Sequence, residues 1–302
     1  MIYTVTLNPA IDYNMNFRQI KTGAVNRSAG EYIRFGGKGI NVSAVLTRLG
    51  VDTQALGFIA GATGDELEKG VGAMGVRTGF VKLKNGMTRI NVKLHADTET
   101  ELNAAGPEID ENAFEELMKK TDPLRDGDTI VLAGSVPSSV PRDIYEHIAG
   151  RVSERGVRVA VDAEKELLTS VLKYRPFVVK PNIHELSDIF GVEISGVSEA
   201  EKYAGELQKM GAKNVLVSMG SDGALLLDED GKTHFRAAFR GKAVNTVGAG
   251  DSMLAGFLAG LGNGYESALL LGSAAGAATA FSEELADRET IMRLISEQGE
   301  TI

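Results

Sequence analysis

The chain contains no cysteine among its 302 residues. That excludes a disulfide framework and any thiolate-ligated metal site, and it fits a reducing compartment. No apolar run approaches the length of a membrane span, and the opening Met1-Ile2-Tyr3-Thr4-Val5-Thr6-Leu7 reads as a short strand without the basic start of a signal peptide. The expectation from these absences is a cytoplasmic protein with no membrane partner. Basic runs of five or six residues are also missing and the formal net charge is −9, which argues against nucleic acid as a partner. Any pocket for an anion must therefore be built from a few local Arg, Lys and backbone N–H groups. No Gly-x-x-x-x-Gly-Lys-Ser/Thr loop occurs, so nucleotide binding of the P-loop kind is excluded. His95, His147, His184 and His234 are scattered and show no metal spacing.

What is present reads as an ordinary globular composition, 43% hydrophobic and 24% charged, long enough for one large domain or a main domain with an insertion. The second half alternates buried strand patterns with helical ones. Strands are expected at Thr129–Ala133, Val157–Val161, Phe177–Lys180 and Asn214–Ser218, with helices over Arg142–Arg155 and Glu164–Lys173 and on either side of a Gly191–Gly196 turn. Short doubly buried strands separated by helices indicate a parallel sheet with covering layers. Ligands of such sheets gather beyond the strands' carboxyl ends, so Gly134-Ser135, Asp162, Pro181-Asn182 and Gly220-Ser221 are candidate positions. The segments 11–35 and 89–103 mix polar and apolar residues instead, as in a half-exposed antiparallel sheet. They are expected to form one small lid from two insertions, with an apolar face that suits pairing in a homodimer.

Asn245-Thr246-Val247-Gly248-Ala249-Gly250-Asp251-Ser252 leads into the apolar run Met253–Leu258. Glycines before a buried helix leave unpaired amides and the positive end of the helix dipole facing a ligand, which is an anion site. Asp251 adds a carboxylate to that cradle, and an anion site with a base is what phosphoryl transfer to a hydroxyl requires. Gly36-Gly37-Lys38-Gly39-Ile40-Asn41 lies between a strand and the helix expected at Val42–Leu49; it brings a cation and an amide suited to vicinal hydroxyls. In Lys180-Pro181-Asn182-Ile183-His184-Glu185, Asn182 and Glu185 would share one face of a first helical turn. That pair suits a capping box, a hydrated Mg²⁺ beside phosphates, or both. Ser218-Met219-Gly220-Ser221-Asp222-Gly223 reads equally as a hairpin turn or a nucleotide-edge loop, and Arg89 on the lid could supply a guanidinium for a phosphate. Gly70-Val71-Gly72-Ala73-Met74-Gly75 matches the dinucleotide fingerprint by letter, but it follows a charged helical stretch rather than a buried strand and is set aside.

Together, Thr6-Leu7-Asn8-Pro9-Ala10-Ile11-Asp12, Gly36 to Val42, Thr88-Arg89-Ile90-Asn91, Gly134-Ser135-Val136-Pro137, Lys180-Pro181-Asn182 with Glu185, and Gly248-Ala249-Gly250-Asp251 resemble the ribokinase-type (PfkB-type) sugar kinase family from end to end. The resemblance implies a ribokinase-like three-layer α/β/α sandwich with a small β-sheet lid. The core would comprise 1–10, 36–86 and 106–302, and the lid 11–35 and 87–105. It further implies ATP and Mg²⁺, a sugar-phosphate substrate and a homodimer through the lid. Thr100-Glu101-Leu102-Asn103 resembles the phosphosugar branch, and Thr88 to Lys93 is most similar to bacterial 1-phosphofructokinases, with tagatose 6-phosphate and fructose 6-phosphate kinases as alternatives and a non-catalytic sensor as a distant one. Carried over, Asp251 is the expected base, with the amides of Gly248, Ala249 and Gly250 at the transferred phosphoryl. Asp12 and Asn41 hold sugar hydroxyls; Lys38, Arg89 and Arg27 grip the sugar phosphate; Gly37, Asn103 and Ser135 complete that pocket. Lys180, Asn182 and Glu185 serve ATP phosphates and Mg²⁺ (Glu185 through water), while Ser218, Gly220, Ser221 and Gly223 line the nucleotide.

Overall fold

The computed structural model describes residues 1–301. In chain order its elements are β1 (Ile2–Thr6), β2 (Ala10–Asn16), β3 (Gly30–Gly36), α1 (Lys38–Arg48), β4 (Thr53–Ala60), α2 (Gly61–Ala73), β5 (Arg77–Thr78), β6 (Val81–Leu83), β7 (Arg89–His95) and β8 (Thr100–Leu102). There follow α3 (Glu111–Lys120), β9 (Thr129–Ala133), α4 (Ile144–Ser153), β10 (Arg158–Asp162), α5 (Lys165–Thr169), β11 (Val178–Val179), α6 (Ile183–Phe190), α7 (Gly196–Met210) and β12 (Asn214–Ser218). The chain ends with β13 (Ala224–Leu227), β14 (Thr233–Arg236), α8 (Ala249–Gly260), α9 (Tyr265–Ala280) and α10 (Arg288–Glu297).

Alternation along the strands sorts the core into three layers. Ile130, Leu132, Val159 and Val161 point to one face, where Leu117, Tyr145, Leu186 and Leu207 from the helices α3 to α7 cover them. Val131, Ala133 and Ala160 point to the other, against Val42, Leu254, Phe257 and Ala274 of α1, α8 and α9. Strands apolar on both faces need two covering layers, which is why their pattern is continuous rather than alternating. The main sheet runs β14-β13-β12-β11-β10-β9-β1-β4-β5, with β6 also on β4. From β12 to β5 its pairs are parallel; β13 and β14 add an antiparallel edge, the β12–β13 pair being the hairpin alternative for Ser218–Gly223. The carboxyl ends of β1, β9, β10, β11 and β12 therefore open on one side.

Several expected boundaries shift for local reasons. The helix expected at Val42–Leu49 begins at Lys38, because Gly37 serves as its N-cap and Thr6 Oγ1 accepts the Ile40 N–H at 3.1 Å. The one expected over Glu164–Lys173 is broken into α5 and a 3₁₀ turn, Leu172–Tyr174, closed by Arg175 in the left-handed region (φ 52°). The strand expected at Phe177–Lys180 is paired at Val178–Val179 alone, as Pro181 next to Lys180 ends the ladder. The glycine-rich Gly70–Gly75 lies at the end of α2, not after a strand.

Segments 10–36 and 89–102 pair into a separate four-stranded sheet, β3-β2-β7-β8. An all-antiparallel sheet was the expectation, but β2 and β7 run parallel, Asp12 opposite Asn91. The two excursions leave the core after β1 and β6, both parallel to the β4 that lies between them, so their first strands emerge in the same direction. Register places Ile33, Tyr13, Val92 and Leu102 in one row on one face. Arg34, Asp12 and Asn91 form a row on the opposite face. Near the core the apolar face is covered, since Ile11, Phe35 and Ile90 pack with Leu67 and Val71 of α2. Farther out Ile33 and Leu102 are 51% and 56% exposed.

Candidate active site

A cleft of about 530 Å³ lies between the polar face of the lid and the carboxyl ends of the core strands. From the lid side it is lined by Asp12, Arg89 and Asn103, and from the α1 turn by Gly37, Lys38 and Asn41. The strand ends bring Ser135, Lys180, Asn182, Glu185 and Ser218, and the start of α8 brings Gly248, Gly250 and Asp251. Residues spread from 12 to 251 thus converge where the parallel sheet directs them.

Two helices, α1 and α8, begin at this cleft without any side-chain cap. Apart from the N–H of Ile40, which Thr6 Oγ1 accepts, and that of Ala249, which Thr246 O accepts at 3.2 Å, their first-turn amides are unpaired and stand at the positive ends of the helix dipoles beside the cleft. Gly248 adopts φ 81° at the start of α8, a conformation that disfavours residues with a Cβ. The helix itself is held rigidly. A Cβ on Gly256 would lie 2.5 Å from Leu271 O of α9, and Thr279 donates to Ser252 Oγ at 2.8 Å. Asp251 projects from this fixed turn, is 5% exposed, and accepts a hydrogen bond from Asn41 Nδ2 at 2.8 Å.

Burial pushes the Asp251 carboxyl up, and the nearby negative charge of Asp162 pushes it further, to about 6; the Asn41 hydrogen bond, Lys38 and Lys180 oppose the rise. Asp162 itself is 1% exposed at the end of β10, with Lys38 Nζ 3.1 Å from Oδ1 and Lys180 Nζ 3.3 Å from Oδ2. Burial works against its charge, but Lys180 and Lys38 overcome this and hold the carboxyl below its ordinary value. Burial likewise opposes the Lys38 ammonium, and Asp162 and then Asp251 outweigh it, so Lys38 stays charged well above the usual lysine range. Two cations and two carboxylates are thus locked together at the floor of the cleft, one carboxylate ionised and the other poised near neutrality.

Asn182 and Glu185 form a complete capping box on α6. Asn182 Oδ1 accepts from the N–H groups of His184 and Glu185 at 2.9 and 2.8 Å, and Glu185 Oε2 accepts from Asn182 N at 2.8 Å. The other Glu185 oxygen and the Asn182 amide nitrogen remain for the cleft. Among the described residues no group of three or more His, Cys, Asp or Glu could hold a metal. This donor set fits a hydrated ion carried on phosphates, not an all-protein cage. Burial lowers the Arg89 guanidinium from its ordinary value, with Asp12 opposing, and Asn91 Nδ2 donates to Asp12 Oδ1 at 2.9 Å.

Five expected site residues do not line the cleft. Arg27 is exposed on the long connection between β2 and β3, beyond the tip of the lid sheet. Gly220, Ser221 and Gly223 form the β12–β13 hairpin, in which Met219 N donates to Gly223 O at 2.9 Å; the hairpin alternative holds for their conformation. Ala249 stands in the first turn of α8. Conversely, Asp162 was flagged only as a strand-end position and Asn91 only as part of a motif. An acidic residue closing the apolar run Val157–Val161 was the available signal for the first.

A parallel α/β sandwich with a β lid, enclosing a buried carboxylate between two helix starts, suits a small-molecule kinase. The match of a family model over residues 5–290 agrees, and the chain belongs to the pfkB family of carbohydrate kinases. It is 45% identical to a 1-phosphofructokinase of Bacillus subtilis (98% of each chain covered) and 38% identical to a D-tagatose-1-phosphate kinase of Bacillus licheniformis (95% of each). Among solved structures, phosphofructokinase-2 from Escherichia coli in complex with fructose-6-phosphate superposes with a TM-score of 0.90 at 28% identity, covering 99% of both chains.

Proposed function

We propose that the protein transfers the terminal phosphoryl group of ATP to the 6-hydroxyl of fructose 1-phosphate, giving fructose 1,6-bisphosphate and ADP. The observation that carries this reading is Asp251, a carboxylate poised near neutrality beside unpaired helix amides at the floor of a cleft whose lid side carries Arg89. Relatives at 45% and 38% identity that are both named for ketose 1-phosphates support the choice of sugar.

Asp12 and Asn41 hold the sugar's hydroxyls, and Arg89, with Asn103 and Ser135 alongside, takes its 1-phosphate at the lid end. Asp251 accepts the 6-hydroxyl proton as the O6–P bond forms and the bridging P–O bond of ATP breaks. The amides of Gly248 and Gly250 face the charge on the phosphoryl group in flight, whereas the Ala249 N–H is spent on Thr246 O at 3.2 Å. Lys38 and Lys180 add positive charge there; Lys38 thus serves the transferring phosphoryl more than the distant sugar phosphate. Glu185, through water, and Asn182 would hold Mg²⁺, which would supply charge neutralisation for the ATP phosphates. Ser218 and the β12–β13 turn flank the nucleotide. The uncovered apolar row of the lid suits a second copy, and the active species is a homodimer joined there.

The test is ADP release with fructose 1-phosphate, fructose 6-phosphate, tagatose 6-phosphate and unphosphorylated fructose. The highest kcat/KM is expected with fructose 1-phosphate. Preference for either 6-phosphate reassigns the substrate, and no release with any sugar makes the protein a sensor rather than an enzyme.

A further inference from the structure

Arg89 is the cation on which grip of the sugar phosphate rests, yet little holds its side chain. It stands in a wall between the cleft and a second cavity of about 1140 Å³ behind the lid hinge, which it also lines. A long side chain with space on two sides has many conformations to lose when it binds. Its backbone is fixed through Thr88, whose N–H donates to Ala60 O and whose Oγ1 accepts from Ala60 N, both at 2.9 Å. The guanidinium has one hydrogen-bond partner among the described residues: Nε donates to Asn8 O at 3.1 Å. That contact uses the Nε side of the fork and leaves both terminal nitrogens for a bidentate anion.

Asn8 lies on the first crossing from core to lid, between β1 and β2, is 9% exposed and lines the cleft. Its side chain does something separate. Nδ2 donates to Ala105 O at 2.9 Å, on the crossing by which the chain leaves the lid after β8. The next residue, Gly106, has φ 91°, and a Cβ there would sit 2.4 Å from Asn8 Oδ1. The Asn8 amide is therefore seated flush against that crossing, in a space only glycine leaves open. Pro9 follows, which keeps Asn8 extended and stiffens the crossing. One residue thus ties the outgoing strand, the returning strand and the phosphate-gripping side chain of the lid.

We infer that Asn8 is a positioning residue, whose amide, anchored on Ala105, holds its own carbonyl where it aims Arg89 at the sugar phosphate. Asn8 touches no reacting atom, and its effect passes through Arg89. This inference rests on the phosphosugar kinase reading above. Asn8→Ser cannot reach Ala105 O; Asn8→Asp keeps the shape but loses the donor and competes for the guanidinium.

The experiment is a double-mutant cycle on the full-length protein, with KM and kcat measured for sugar phosphate and for ATP in wild type, Asn8→Ser, Arg89→Ala and the pair, and Asn8→Asp as a second route. Asn8→Ser is expected to raise the sugar-phosphate KM by about tenfold, to leave the ATP KM within about twofold, and to add nothing further in the Arg89→Ala background. Effects of Asn8→Ser and Arg89→Ala that multiply, or a sugar KM unchanged in both Asn8 variants, overturn the inference. A merely structural role would lower Tm and raise both KM values, which also overturns it. Wild type is assayed first. If it prefers another sugar phosphate, the substrate assignment fails while the cycle is run on that sugar.

Discussion

A carboxyl group that is 5% exposed is costly to ionise, and Asp251 remains in the chain at that cost. Its value near 6, against an ordinary 3.8, sets two expectations. As the proposed base, Asp251 would act in its deprotonated form, so kcat/KM should rise with pH through an apparent pKa near 6; a profile flat from pH 5 to 7 removes Asp251 as the base. Asp251→Asn should lower kcat by about 10²-fold or more with the sugar KM little changed, measured by steady-state kinetics. Stability has the opposite sign. The folded state binds this proton more tightly than the unfolded one, so the cost appears as pH rises from about 4 through 6. Asp251→Asn should therefore raise Tm at pH 8 and have little effect at pH 4. Asp162 behaves inversely: its depressed value contributes stability above the ordinary carboxylate range, lost as pH falls through the folded value. Asp162→Asn leaves Lys180, 4% exposed, without its counter-charge and should cost about 3–5 kcal/mol in urea unfolding. Lys180 was legible as a cleft residue because it follows a buried strand of the parallel sheet, and Asp251, Lys38 and Asn41 because glycine-rich turns place them in the first turns of helices. That Asp162 pairs with two lysines was not, since the pairing depends on β10 lying beside β11 and on α1 starting near the end of β10, and periodicity encodes faces rather than neighbours.

At the level of elements, the first turn of α8 is where backbone and chemistry compete. A Cβ on Gly250 would meet Lys180 Nζ at 3.2 Å, and that ammonium is already fixed against Asp162. Alanine is the better helix former by about 1 kcal/mol. Gly250→Ala should therefore hold or raise Tm while lowering kcat, and a variant with full kcat would show that close approach of Lys180 is dispensable. The strands β9 and β12 were readable to the residue because they are short apolar runs bounded by turn signals. The break after α5 was not, for nothing in Lys165 to Lys173 signals the left-handed Arg175 that ends the 3₁₀ turn. The parallel pairing of β2 with β7 was equally hidden. Each segment shows its own alternation, but their relative direction is set by the core elements between them.

For the whole molecule, the exposed row through Ile33 and Leu102 is the face on which the proposed dimer is tested. Wild type should sediment as a dimer, and Ile33→Asp combined with Leu102→Asp should yield a monomer at the same protein concentration. A monomeric wild type would show that the lid face tolerates water. The layered core was legible from composition and strand pattern alone. The lid's division into a polar face and an apolar face was legible too, because a period of two survives even where pairing partners are unknown.

The parallel pairing of β2 with β7 also has a temporal consequence. Neither excursion is more than a two-stranded ribbon alone, and such ribbons are marginal in water. Asp12 must wait for Asn91, across about eighty intervening residues, before the sugar's half of the cleft exists. The polar face of the lid is therefore completed only after the core elements between the two excursions have folded and brought β7 to β2.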